Sequence, residues 1–255
     1  MFHGDLSTFI FVVSGGAIPP LVWLWFWLRE DGKRPEPRLL ILATFFGGMV
    51  AVPIALGLEK ILNDMVDLEG ALAAGGGRLI LTLGAFAAIE EIVKYLAAQG
   101  IAFPNKHFDE PIDAVIYMIT AALGFAALEN TLFLIQGISH IKILGTDFTF
   151  LDTGIPAATL ISNNLRFIGA NVLHVVSSGV IGVLIGLSFY RSLGYKLCYF
   201  LAGLIAAIGL HTLFNFFILK FEDTPSKVFL ILWLAAIILI LLFEKVKRVT
   251  KPEII

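Results

Sequence analysis

Cysteine and charge are both scarce in this sequence. Cys198 is the only cysteine, which argues against a disulfide framework and against a thiolate metal site. Charged residues make up 15% of the chain and no basic cluster is interleaved with aromatic residues, so nucleic acid is not expected as a partner. Alternating apolar segments of ten residues are missing as well, which argues against an outer-membrane β-barrel.

The chain instead contains long, continuous apolar runs. Hydrophobic residues occupy 58% of the 255 positions, and the mean hydropathy is +0.90. The runs are about 17 to 25 residues long, which is the length that an α-helix needs to cross a bilayer. We predict an all-α, polytopic integral-membrane bundle of about seven transmembrane helices, at about Thr8 to Leu28, Leu39 to Leu62, Leu79 to Ile101, Ile112 to Gln136, Ser162 to Tyr190, Tyr195 to Leu219 and Val228 to Phe243.

The connections between these spans predict one integral-membrane domain, 1–255, with a motif-bearing core at about 78–220. The longest connection, about Gly137 to Ile161, is too short to bury a core of its own. Most of the 18 lysines and arginines follow the first, third and fifth spans or lie in the C-terminal tail. Because cytoplasmic loops carry the excess of such residues, we expect the N-terminus outside and the C-terminus inside a bacterial or archaeal cell membrane.

Ionisable and strongly polar side chains inside the predicted spans are the candidates for function. Each ionised group near the bilayer centre costs at least about 2.5 kcal/mol, so it must face a protein interior or a water-filled cavity. Counted at 1.5 Å per residue, the two histidines and the acids of the third and fourth spans lie about 12 to 18 Å from the outer helix ends. This shared depth predicts one site in the outer half of the bilayer. Its members are Glu90, Glu91 and Lys94, then Glu129 and Asn130, then Arg166, Asn171 and His174, and finally His211 and Asn215.

Lys94 lies one helical turn from both Glu90 and Glu91 and can neutralise one of them. Two adjacent carboxylates in a low dielectric cannot both ionise cheaply, so the acid that Lys94 favours less is suited to general-base work. The spacing does not decide which acid that is. Asn171 lies one turn before His174 and can orient its ring.

For two further residues, Asp113 and Arg166, we expect a structural role or one of two alternative roles. Asp113, near the cytoplasmic end of its span, is expected to reach toward Lys94 or to cap the helix start together with Asp109. Arg166 is expected either to pair near the outer surface or to contact a substrate carbonyl or a lipid phosphate.

Five motifs in a fixed order resemble those of a known family. They are Glu90-Glu-Ile-Val-Lys94, Asp113-Ala-Val-Ile-Tyr117, Gly124-Phe-Ala-Ala-Leu-Glu129-Asn130, His174 and His211-Thr-Leu-Phe-Asn215. In this order they resemble the PrsW family of intramembrane proteases, which are relatives of the CAAX-prenyl and bacteriocin-processing endopeptidases. The resemblance covers about Ala85 to Phe216, and Met118 departs from the small residue that the family pattern has after its tyrosine.

The resemblance implies hydrolysis of a peptide bond in a membrane-protein or lipid-anchored substrate. In one version a glutamate of the Glu90/Glu91 pair activates water with His174, and His211 with Asn215 stabilises the oxyanion. In the other version Zn²⁺ is bound, because two histidines and a glutamate are a common set of catalytic zinc ligands. We favour zinc, and since no His-Glu-x-x-His motif is present, its ligands must come from separate helices: Glu91, Glu129, His174 and His211.

A transporter that conducts protons or ions is the main alternative, because buried glutamates and histidines also relay protons. The two matched halves that typify transporters are not apparent in the sequence, since the motifs lie in spans three to six without a counterpart elsewhere.

Overall fold

The protein is described by a computed structural model that covers residues 6–30, 34–66, 70, 75–138, 142–143, 146–147, 164–220 and 225–251. Within these ranges the chain forms seven α-helices: α1 Leu6–Glu30, α2 Arg38–Val66, α3 Gly76–Ile101, α4 Asp113–Ile138, α5 Asn164–Leu187, α6 Leu193–Lys220 and α7 Pro225–Val246. Two short strands, β1 Lys142–Ile143 and β2 Thr146–Asp147, pair antiparallel between α4 and α5. Each helix coincides with one predicted span to within a few residues.

Five helices, α2 and α4 to α7, are long and apolar enough to cross a membrane. A helix suits the hydrocarbon core because it satisfies every backbone N–H and C=O internally. α3 is also long, at 26 residues, but it carries more charge, and three of its charged side chains, Glu90, Glu91 and Lys94, are buried in the protein. The predicted polytopic, helical membrane fold is therefore confirmed, while the orientation of the termini stays a prediction.

α4 is the central helix of the bundle. Every residue from 111 to 127 is buried, and α4 packs against α1, α2, α3 and α5. α3, α4, α5 and α6 form a ring in which each helix packs against the next and α6 returns to α3. α2 covers α3 and α4 from outside, α1 covers α4, and α7 covers α5. Because α3 and α5 face each other across the ring with few backbone contacts, long side chains fill the space between them.

α2 and α4 approach each other closely at two glycines. A Cβ atom at Gly48 would overlap the carbonyl oxygen of Ala121, and a Cβ atom at Gly124 would overlap the carbonyl oxygen of Phe45. Only a residue without a side chain permits this approach. The crossing fixes the height of α4 beside α2 and therefore the position of Glu129, which follows Gly124 by five residues.

The N-terminal end of α4 is tied to the loop before α2. The Tyr117 hydroxyl donates a hydrogen bond to Glu36 Oε2. Asp113 Oδ2 accepts hydrogen bonds from the backbone N–H groups of Asp109, at 2.8 Å, and Glu110, at 2.7 Å. Asp113 thus holds the start of the helix, and the ion pair with Lys94 that the sequence also allowed is replaced by these local contacts.

Candidate active site

Four helices of the ring bring the predicted polar residues together. Counted along each helix from its own end on the side where α2 ends and α3 begins, the acids and histidines lie about 13 to 23 Å deep. They form one cluster inside the ring, with most members buried and Glu129 half-buried. The contributors are Glu90, Glu91 and Lys94 from α3, Glu129 and Asn130 from α4, Asn171 and His174 from α5, and His211 from α6.

Glu91 lies at the centre of this cluster with no exposed surface. Its Oε1 accepts hydrogen bonds from Lys94 Nζ at 2.8 Å, Ser177 Oγ at 2.9 Å and His211 Nδ1 at 3.0 Å. Its Oε2 accepts a hydrogen bond from Ser178 Oγ at 2.7 Å. Four donors compensate the desolvation of a buried carboxylate and fix its orientation.

Each histidine is held by a glutamate through one ring nitrogen. Glu91 holds His211 Nδ1 at 3.0 Å, and Glu129 holds His174 Nε2 at 2.7 Å. An ionised carboxylate only accepts hydrogen bonds, so the ring proton lies on that side and the other nitrogen carries a lone pair. His211 Nε2 lies 3.8 Å and His174 Nδ1 lies 4.0 Å from the same atom, Glu90 Oε2. The two rings therefore face a single carboxylate oxygen.

Lys94 supplies positive charge inside the cluster and is fully buried. Its Nζ donates to Glu91 Oε1 at 2.8 Å, lies 3.3 Å from Glu90 Oε2, and is 2.9 Å from His174 Nδ1. The ammonium group also lies 4.7 Å from the centroid of the Phe125 ring. Lys94 thus contacts both Glu90 and Glu91, whereas the sequence analysis predicted that it neutralises one of them.

Glu90, His174 and His211 are placed to hold a metal ion, since one ligand atom from each lies within 4.8 Å of the others. In a tetrahedral zinc site with bonds near 2.1 Å, ligand atoms lie about 3.4 Å apart. To bind such an ion, the separations of 3.8 and 4.0 Å from Glu90 Oε2 to the two histidines would shorten, and Lys94 Nζ, which lies 2.9 Å from His174 Nδ1, would release that nitrogen. Glu90 Oε2 makes no hydrogen bond in the described residues and has only the ammonium of Lys94, at 3.3 Å, as a described ion-pair partner, so its lone pairs are open to a bound cation.

Two of the supporting residues pair with each other. Asn130 Nδ2 donates a hydrogen bond to Asn171 Oδ1 at 3.0 Å, and both side chains are buried. This bond links α4 to α5 directly behind the cluster. The ring of His174 is held by Lys94 and Glu129, and its orientation by Asn171 stays a prediction.

The remaining predicted residues lie at the margin of the cluster or beyond the described side chains. Asn215 is half-buried, one turn after His211 on α6. Arg166 belongs to α5, but its side chain lies outside the described part of the structure.

Sequence reasoning missed three residues near the site. Ser177 and Ser178 hold Glu91. The sequence feature that could have identified them is their position one turn after His174 on the same helix face. Glu59 on α2 is half-buried and lies within electrostatic range of Glu90 and Glu129. The sequence feature that could have identified Glu59 is its position as an acidic residue inside a predicted span.

Comparison with known proteins identifies relatives of this chain. The family model described as "PrsW family intramembrane metalloprotease" matches residues 35–242. "Protease PrsW" of Bacillus subtilis (strain 168) is 30% identical over 130 residues, which are 51% of this chain and 56% of that protein. "Protease PrsW" of Clostridioides difficile (strain 630) is 32% identical over 120 residues, 46% of this chain and 48% of that protein. "Protease PrsW" of Oceanobacillus iheyensis is 24% identical over 231 residues, 89% of this chain and 93% of that protein.

The chain spans about half the length of the relatives that it matches at 30% identity or more. No solved structure matches the chain. The family match includes all four helices that form the ring, and the motifs that suggested the resemblance lie inside it. On this match the chain belongs to the PrsW family of intramembrane metalloproteases.

Proposed function

We propose that this protein is an intramembrane peptidase whose reaction centre is formed by Glu90, His174 and His211. One observation carries the proposal: the two histidines, each held from behind by a glutamate, face Glu90 Oε2, which makes no hydrogen bond among the described residues. Two imidazoles and a carboxylate that converge from three helices form a donor set typical of catalytic zinc. The family description as a metalloprotease supports the same reading.

The metal ligands that we propose differ in part from those that the sequence suggested. Glu91 and Glu129 were candidate ligands, but each is engaged with the far side of a histidine. A carboxylate in that position fixes the tautomer of the ring and raises its basicity as a ligand. We therefore assign Glu90, His174 and His211 as ligands, and Glu91 and Glu129 as the residues that orient the histidines.

Zn²⁺ at this position would polarise the scissile carbonyl and acidify a water molecule. The residues of the chain supply the rest: they hold the ligands in place and keep the buried charges paired. We assign to Asn215, one turn after His211 on α6, the oxyanion role that the resemblance implies. In a metal-free version of the reaction Glu90 is the general base, because the four hydrogen bonds that Glu91 accepts favour its ionised form and make it a poor proton acceptor.

The substrate that we propose is a membrane protein or a lipid-anchored peptide, since the centre lies inside a bundle of apolar helices. The distribution of lysines and arginines supports an active site in the outer half of the membrane. The relatives named above are bacterial proteins, which supports a bacterial cell membrane as the location. Proton or ion transport is not favoured, because the family match is to proteases.

Cleavage of single-span reporter proteins by the purified protein in nanodiscs tests the proposal. The wild type and Asp64→Asn, a control at an exposed acid on α2, should cleave the same reporters. Glu90→Gln, His174→Ala and His211→Ala should each lose cleavage by at least about 10³-fold, as expected for groups that act together on the reacting atoms. Retained cleavage in these three variants, with products identical to those of the wild type, would overturn the proposal.

A further inference from the structure

Glu59 is an acid on the outside helix α2 that points toward the reaction centre. It follows Val52 and Ala55 by seven and four residues, and therefore lies on the same helix face. Val52 and Ala55 are almost fully buried in a cluster with Val93 of α3 and Phe125 of α4. The face that carries Glu59 is thus turned toward the junction of α3 and α4.

Three acids lie near the centre on the helices that meet at this junction: Glu59 on α2, Glu90 on α3 and Glu129 on α4. Gly47 of α2 packs against Ala97 and Ile101 of α3, and Val52 clusters with Val93, so Glu59 is level with about Phe86 of α3 and Glu90 lies about 6 Å deeper. Glu59 lies within electrostatic range of both other acids. Glu90 Oε2 makes no hydrogen bond in the described residues and has Lys94 Nζ at 3.3 Å.

Positive charge near these acids is already engaged. Lys94 interacts electrostatically with Glu59, but its Nζ is held at hydrogen-bond distance by Glu91 and His174 and lies 3.3 Å from Glu90. Glu59 is half-buried, whereas Lys94 has no exposed surface. An ionisable side chain inside a span faces protein or a water-filled cavity, and the carboxylate of Glu59 is only half-buried, so it has room to meet a further group.

We propose that Glu59 is a specificity-determining residue that selects substrates with a lysine or arginine close to the scissile bond. This inference rests on the proposed peptidase function. A peptide must be extended to be hydrolysed, and an extended chain advances about 3.3 Å per residue. The offset of about 6 Å between the levels of Glu59 and Glu90 therefore corresponds to about two residues of substrate. A basic side chain at that distance would meet Glu59 and relieve the repulsion among the acids.

Three reporter substrates that differ at one residue test this inference. The scissile bond is first located by mass spectrometry of wild-type products, and lysine, glutamine or glutamate is then placed two residues from it, on either side. On the side that faces Glu59, the wild type should cleave the lysine substrate about tenfold better than the glutamate substrate in kcat/KM, mainly through KM, as expected for one charged hydrogen bond. Glu59→Gln should bring this ratio close to one, and Glu59→Lys should invert it.

Asp64→Asn is the matched control, because Asp64 lies on the same helix and is exposed. It should keep both the wild-type rates and the wild-type ratio. An unchanged lysine-to-glutamate ratio in Glu59→Gln would overturn the inference and leave the proposed function intact. Equal loss of kcat on all three substrates would also overturn it, since Glu59 would then act in the reaction and not in recognition. Failure of the wild type to cleave any reporter would overturn the proposed function and this inference with it.

Discussion

Glu91 Oε1 lies 3.0 Å from His211 Nδ1, and this contact determines which side of the imidazole faces the reaction centre. Because the carboxylate accepts the Nδ1 proton, the Nε2 lone pair is directed toward Glu90. Ser177, Ser178 and Lys94 hold the same carboxylate from other directions. The orientation of His211 therefore depends on the three residues that hold Glu91 in place.

Removing the hydroxyl donors of Ser177 and Ser178 should impair the reaction, although all three proposed metal-binding residues remain present. We expect Ser177→Ala and Ser178→Ala each to lower kcat/KM by about 10- to 100-fold, as is typical when the hydrogen-bonded support of a metal ligand is lost. Ser188→Ala is a matched control, because Ser188 is also buried but bonds to the carbonyl of Ile185 in its own chain segment. Reporter cleavage measures the effect, and equal rates in all three variants would contradict a supporting role for Ser177 and Ser178.

Metal content should follow the proposed ligands. Protein purified without chelators should contain about one zinc ion per chain by elemental analysis. Glu90→Gln, His174→Ala and His211→Ala should each lose most of this zinc, because one of three protein ligands is missing. Glu59→Gln should retain it. Full cleavage activity in metal-free wild-type protein would refute the zinc version and favour Glu90 as a general base.

Lys94 should be essential for stability as well as for activity. Lys94→Met removes the ammonium group that lies within 3.3 Å of Glu90 and Glu91, and it leaves buried negative charge unpaired. Loss of one partner of a buried ion pair typically costs about 3 to 5 kcal/mol of unfolding free energy. Thermal unfolding in detergent should show the loss, and adding Glu91→Gln to Lys94→Met should recover part of it. A double variant less stable than Lys94→Met would contradict this charge balance.

The helices could be predicted from the sequence because a bilayer allows few alternatives. Long apolar runs must be helical to satisfy their backbone groups, and each of the seven predicted spans coincides with a helix. The depth argument could also bring Glu90, Glu129, His174 and His211 to one cluster, since it needs only the helix rise and alternating direction.

Side-chain roles within the cluster could not be predicted in the same way. Glu90 and Glu91 are adjacent, so helical spacing places both within one turn of Lys94. What separates them is contact with α5: Ser177 and Ser178 engage Glu91, whereas Glu90 Oε2 makes no hydrogen bond among the described residues. Such contacts depend on the rotation of packed helices, which one sequence does not specify.

The close crossing of α2 and α4 offers a test of how far packing controls the centre. A Cβ atom at Gly124 would overlap the backbone carbonyl of Phe45, which cannot move aside as a flexible side chain would. Gly124→Ala should therefore separate the helices and cost about 1 to 3 kcal/mol of unfolding free energy. It should also reduce cleavage, because α4 carries Glu129 and Glu129 holds His174.

Gly57→Ala on α2 is the matched control for this crossing. A Cβ atom at Gly57 has no neighbour within 4 Å, so alanine should fit there and raise helix stability by up to about 1 kcal/mol. Thermal unfolding and reporter cleavage should thus change in Gly124→Ala and be maintained or improved in Gly57→Ala. If Gly124→Ala unfolds and cleaves like the wild type, the contact of α4 with Phe45 does not set the height of Glu129, and the position of His174 must depend on α5 alone.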